Sequence, residues 1–216
     1  MVAIARHAGV AIQTVYDQFG SKGGLLMAVI DDVQRSSGLF AELRGVFSSP
    51  DGEAAMRRMI AATFRLWHGA WPYLAFILRA RRIDAVVATE MDVVDRLRLA
   101  HFWAITRRLA DEGRLLPGLS AEAAANRTFA LSAPTIYEEL VVRLGTTPEE
   151  AAATATTASL AAILEPGAVN TASAPPDWVK LEQDAAARAI AGGADPRRLT
   201  PDWVSAPGTP QTTIPG

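Results

Sequence analysis

The residues of this chain best suited to recognition chemistry stand between positions 11 and 22. Gln13 carries an amide that can both give and accept hydrogen bonds at an adenine edge, and Ile12 can touch a thymine methyl. The hydroxyls of Thr14 and Tyr16 and the ammonium of Lys22 suit phosphate oxygens, contacts that fix register without reading sequence. With Ala11 and Gln18 at the ends of the same helical stretch, these seven residues form a candidate nucleic-acid contact set. Its electrostatic footprint is thin. Over residues 1–22, Arg6 and Lys22 stand against Asp17, a net of +1, where a polyanionic partner is usually met by several cations.

The elements that must position this set are two short helices and a turn. Ile4, Ala5 and Ala8 share one face of the first, where small side chains let a neighbour approach. Gly9 supplies the left-handed turn that glycine adopts without steric cost, and Val10 is expected to plug the core behind it. Val15 and Phe19, four apart, give the second helix its inward face and turn Gln13, Thr14 and Tyr16 outward. Two alanine-rich helices joined by glycine are common. Ala-x-x-Ala-Gly-Val, Thr-Val-Tyr-x-x-Phe and Ser-Lys together are far more specific.

Helical punctuation continues along the chain, and no stretch alternates as a strand would, so the fold class is all-α. Ser21 can cap a helix through Leu25, Leu26, Val29, Ile30 and Val33. Ser49, Pro50 and Asp51 read as cap, first-turn proline and first-turn acid. They precede a stripe of Met56, Met59, Ile60, Thr63, Phe64 and Trp67. Gly69 and Pro72 are expected to interrupt that helix, leaving a second one from Tyr73 to Ile83 that ends in Arg79, Arg81 and Arg82.

A long helix is expected from about Val86 or Thr89 to Glu112, closed by Gly113. Another runs from Ser120 to Gly145, and a last body helix from the capping box at Thr147 and Glu150 to Leu164. The expected organisation is a head at residues 1–36, a helical body at 37–165 and a Pro/Gly-rich tail at 166–216. The tail reads as mostly irregular and loosely attached; one short helix from Asp177 to about Ala191 is the competing reading, with two copies of Pro-Asp-Trp-Val that could pin the tail to the body.

Composition bounds the chemistry. The chain has 216 residues, half of them hydrophobic, a formal charge of −2 and no cysteine. Disulfides, thiolate catalysis and cysteine-held zinc are excluded, and a reducing cytoplasm is the expected setting. His7, His68 and His101 lack metal-ligand spacing. No phosphate loop or nucleophile motif is present. The expectation is no metal, no cofactor and no enzymatic activity. The most apolar stretch, Leu66 to Leu78, is too short to span a membrane and contains His68 and Pro72, so no membrane partner is expected.

Within the body, Phe64, Trp67, His68, Trp71 and Phe76, with His101, Phe102 and Trp103 on the long helix, are the candidate small-molecule-binding residues; an ordinary aromatic core competes with that reading. Arg79, Arg81 and Arg82 read as a solvated helix end or a contact for an anionic ligand. Ile136, Tyr137, Leu140, Leu144, Leu160 and Ile163 are the candidate interface to a second subunit, where small residues let helices pack closely. The same stripe could be buried within one subunit.

The string from Ile4 to Leu26 resembles the DNA-binding signature of the TetR family, the tetracycline-repressor-like bacterial transcriptional regulators, and the helix order through Leu164 resembles the family's body. That resemblance implies a homodimer on a pseudo-palindromic DNA operator, acting as a repressor released by a small-molecule effector. The alternative is a helical ligand-binding or dimerisation module, derived from such a regulator, that no longer binds DNA.

The sequence departs from the family pattern in four respects. A first helix expected ahead of Ile4 is absent, so that Ile4, Ala8, Val15 and Phe19 should be partly wet and the chain a fragment or a shortened paralogue. Ala11 stands where a capping serine is usual, at about 1 kcal/mol. Gly23 and Gly24 replace an acidic pair, at up to ~1 kcal/mol each in helix propensity. Asp17 puts a negative charge on the outward face.

Overall fold

The computed structural model describes residues 1–36, 38–167 and 178–191. Its elements are α1 (Val2–Ala8), α2 (Ile12–Phe19), α3 (Lys22–Ser36), α4 (Leu39–Phe47), α5 (Gly52–Ala80), α6 (Ala85–Asp111), α7 (Ala121–Leu131), α8 (Pro134–Tyr137), α9 (Pro148–Ile163) and α10 (Trp178–Ala191). A π-helix at Glu138–Arg143 continues α8. Among the described residues, the one sheet-like pairing is an antiparallel bridge between Leu115 and Leu164. The all-α expectation holds.

Several helix starts follow local chemistry. Asp84 Oδ1 accepts from the amides of Val86 and Val87 at 3.1 and 3.2 Å, and Ser120 Oγ from Ala123 at 3.1 Å. Thr147 and Glu150 form the reciprocal capping box ahead of α9. At α5 the expectation was displaced by two residues. The cap is Asp51, whose Oδ1 accepts from Ala54 N–H at 2.7 Å. Ser49 is buried and donates back to the Gly45 carbonyl at 3.0 Å.

Two expected boundaries are corrected. Gly69 and Pro72 do not break α5, which runs for 29 residues with Pro72 inside it. Proline there leaves the His68 carbonyl without its helical donor, but both residues are exposed and water can serve it. Trp67, Ala70, Leu74 and Ile77 are meanwhile buried on the opposite side, and that burial offsets the roughly 3 kcal/mol a mid-helix proline costs. Conversely, the single helix expected from Ser120 to Gly145 is broken after Leu131, because Pro134 opens a new helix and cannot continue the old one.

The main core lies among α4, α5, α6, α7 and α9, with Met56, Ile60, Phe64, Phe102, Ile105, Leu109 and Ile163 fully buried. A smaller cluster of Ile77, Val87 and Met91 packs with Leu26 and Ile30 and fastens α3 to α5 and α6. The end of α6 is locked to the α4–α5 turn by a buried ion pair. Arg108 Nε donates to Glu112 Oε1 at 2.6 Å, and Arg108 also donates to the carbonyls of Ser49 and Pro50. Gly52 N–H donates to both Glu112 oxygens at 3.1 Å, and a Cβ on Gly52 would stand 2.8 Å from Leu109.

Within the tail, which reads from sequence as mostly irregular, the short helix of the competing reading is present as α10, packed against α6, with Arg188 paired to Glu122 at 2.7 Å and over the Trp103 ring. The second Pro-Asp-Trp-Val copy, and Pro176 and Asp177 of the first, lie outside the described residues.

Candidate functional site

The head is built as two helices on a glycine hinge. Gly9 closes α1 in the left-handed region at φ 68°, and Gly20 closes α2 at φ 69°. Val15 is 5% exposed and Ala5 is buried, while Phe19 is half-buried. Ile4 and Ala8 are exposed, and so is Val10, which does not plug the core: its side chain stays outside while its backbone N–H bonds the Ala5 carbonyl at 3.0 Å. Ala11, Ile12, Gln13, Thr14, Tyr16 and Gln18 are all exposed. Ala11 caps α2 without a side-chain bond.

Asp17 has a role that the sequence did not reveal. Gln13 Nε2 donates to Asp17 Oδ1 at 2.8 Å, one helical turn on. The carboxylate thereby holds the glutamine amide in one orientation. The second amide hydrogen and Oε1 remain for a donor–acceptor pair such as an adenine edge.

The glycines after the head have a packing reason. A Cβ on Gly24 would land on the Phe19 carbonyl oxygen, and Ser21 Oγ accepts from Gly24 N–H at 3.0 Å. A Cβ on Gly23 would stand 2.8 Å from Glu90 Oε1 and 3.1 Å from Val86. Both positions trade helix propensity for close approach, the first to α2 and the second to α6. Beside them, Lys22 is exposed and forms an ion pair with Asp84, the cap of α6. That bond and the two capping amides hold the Asp84 carboxyl below its ordinary range.

In the body, the structure brings some candidate ligand residues together and separates others. Tyr137 is the centre of an aromatic group, 5.0 Å from Trp71 and 6.1 Å from Phe64 between ring centroids, with its hydroxyl 2.9 Å from His68 Nδ1. His68 is exposed and Trp71 half-buried, so the group opens at one rim. Trp67 Nε1 donates to the Ser132 carbonyl at 3.2 Å. Phe76 is 72% exposed on the far side of α5 and does not join the group. His101 packs edge-on to Phe47 at 5.8 Å, and desolvation pushes its pKa down to about 4. Phe102 is wholly buried and Trp103 lies under Arg188.

Sequence reasoning missed Arg98. It is 9% exposed, with its guanidinium 3.7 Å from the Phe129 ring centroid and 5.6 Å from that of Trp67. Its Nη1 donates to the carbonyls of Phe129 and Ser132 at the broken end of α7. Burial lowers its pKa to about 10, opposed by Asp95 at 3.8 Å. An arginine in the middle of an otherwise apolar stripe was the one available signal. Arg81, expected at a solvated helix end, pairs with Asp92 and Asp95.

Of the candidate interface residues, Tyr137, Leu160 and Ile163 are buried inside the single chain. Leu160 and Ile163 face the core from α9, and Tyr137 is consumed by the aromatic group. Ile136 and Leu140 are half-buried and Leu144 is exposed.

Residues 1–29 match the family model described as bacterial regulatory proteins, tetR family. No curated protein and no solved structure matches the chain. The matched residues are the glycine-hinged pair with its inward Val15 and outward Gln13, Thr14 and Tyr16, together with the first half of α3. Over this amino-terminal segment, the chain is similar to the tetR family of bacterial regulatory proteins.

Proposed function

We propose that this protein is a transcriptional repressor that binds a DNA operator as a homodimer and is released when a small molecule enters its helical body. The observation that carries the reading is α2. It has one buried valine, and around it Ile12, Gln13, Thr14 and Tyr16 are exposed on a helix short enough for a major groove. The contact set is Ala11, Ile12, Gln13, Thr14, Tyr16, Gln18 and Lys22.

The effector region is the Tyr137-centred group with Phe64, Trp67, His68 and Trp71, an apolar site with few polar groups and one open rim. Dimerisation falls to the outer face of α9 and the adjoining π-helix. Ala153, Thr154, Thr157, Ala158 and Ala161 are all exposed at helical spacing beside Val142 and Leu144, and small residues let two backbones come close. An effector preferring one spacing of the two heads shifts the population and with it operator affinity.

A mobility-shift titration at fixed low salt, with DNA from upstream of the gene, tests the reading. Binding by the full chain, weakened about tenfold or more by Tyr16→Ala, is the expected result; no retarded band at any salt overturns it. The second reading, a helical module that has lost DNA binding, is favoured by one observation: Lys22 is already engaged by Asp84.

A further inference from the structure

We infer that Asp84 is a competitor for Lys22 built into the body, a carboxylate that occupies the phosphate-directed lysine of the head and must give it up when DNA binds. The inference rests on the DNA-binding reading and goes beyond it, because it assigns a body residue to the control of head affinity.

The geometry is specific. Lys22 opens α3 two residues after the recognition helix ends at Gly20, and it is the only lysine of the head, residues 1–36. Its ammonium meets the Asp84 carboxylate across the α3–α6 contact, sixty-two residues away in sequence. The two oxygens divide the work: Oδ1 caps α6 through Val86 and Val87, and Oδ2 takes the lysine. The next residue, Gly23, is buried against Val86 and the Glu90 carboxylate, so the first turn of α3 is seated on the first turns of α6. A second carboxylate therefore lies beside the same junction.

A phosphate reaching Lys22 must compete with Asp84 for one ammonium and approach two carboxylates as it does so. Like charges oppose each other, and the Lys22–Asp84 pair is exposed enough for salt to weaken it. The same junction is the start of the helix that carries Arg98, His101 and Phe102. A shift of α6 along its axis moves Asp84 relative to Lys22 and changes how firmly the lysine is held. Two states of α6 would thus present two charges to DNA, with no change in α2 itself.

Asp84→Asn tests this cleanly, because asparagine caps a helix as well as aspartate does and only the charge is lost. In the full-length protein, Asp84→Asn is expected to tighten DNA binding by about two- to fivefold, the span open to an exposed ion pair. The gain should vanish in the Lys22→Met background. Glu90→Gln removes the second carboxylate and leaves Asp84 in place, so it is expected to tighten binding less than Asp84→Asn; an equal gain shows a general charge effect and overturns the inference. Equal affinity of the wild type and Asp84→Asn overturns the inference while leaving the DNA reading intact, as does a gain that persists without Lys22. Binding by Asp84→Asn alone supports it most strongly. Failure of both proteins to bind overturns the DNA reading and the competitor role together. A readout without DNA completes the test. Amide exchange at Leu25 and Leu26 should respond non-additively to Lys22→Met and Asp84→Asn, and strictly additive changes show that the pair does not hold the head.

Discussion

At the scale of single residues, ionisable groups buried among aromatics set the most testable behaviour. His101 sits against Phe47 with its pKa depressed from 6.5 to about 4 by desolvation. A base whose folded pKa is lowered is neutral in the native state while the unfolded chain still binds a proton. Its contribution is full above about pH 6.5 and is lost as the pH falls from there toward 4. His101→Phe keeps an edge-on ring and removes the titration. Urea midpoints of that variant should fall less steeply than those of the wild type across this window. Equal slopes would show that His101 is solvated.

At the scale of elements, the clamp at the end of α6 outweighs any surface contact. Arg108 and Glu112 are 3% and 2% exposed, and both are bonded to the α4–α5 turn as well as to each other. Removing one partner leaves a charge stranded in the core, typically at about 3–5 kcal/mol. Arg108→Met should therefore lower the melting temperature by on the order of 10 °C in a chain this size. Replacing both with apolar residues should restore part of that loss, because the desolvation penalty disappears with the charges. Gly52 belongs to the same clamp, since a methyl group there meets Leu109 and the Glu112 carboxylate. The α9 capping box is a milder case, with Thr147→Ala expected to cost about 1 kcal/mol in chemical denaturation.

At the scale of the whole molecule, the head is mounted on the body through α3, and the same packing decides what the outer surface can do. Leu26 and Ile30 enter the small cluster with Ile77, Val87 and Met91, while Lys22 and Gly23 meet the start of α6. The surface of α9 is the complementary case, because its large apolar residues point inward and its outward face is alanine and threonine. If that face joins two copies, Ala158→Arg places a cation where backbones would approach and should yield monomer in sedimentation with the helical content unchanged. A variant that stays dimeric would move the interface elsewhere.

Caps, periodicity and glycine turns are interactions within a few residues, so the sequence by itself determined the all-helical class, the starts at Ser120 and Thr147, and the outward set on α2. It carried the similarity to the tetR family over residues 1–29 too, because the glycine-hinged string is local and dense in specific residues. Pairings across 60 or more residues were decided only by the tertiary structure. Pro72 stays within α5 because distant burial outweighs its local cost, and Tyr137 turns inward because Trp71, Phe64 and His68 await it. Arg98 is held in the core by ring faces and carbonyls that belong to other helices. The sequence placed the start of α6 at about Val86 or Thr89 and gave Asp84 no role; that its second oxygen meets Lys22 depends on how α3 crosses α6. Local chemistry names the groups that can act, and packing decides which of them meet.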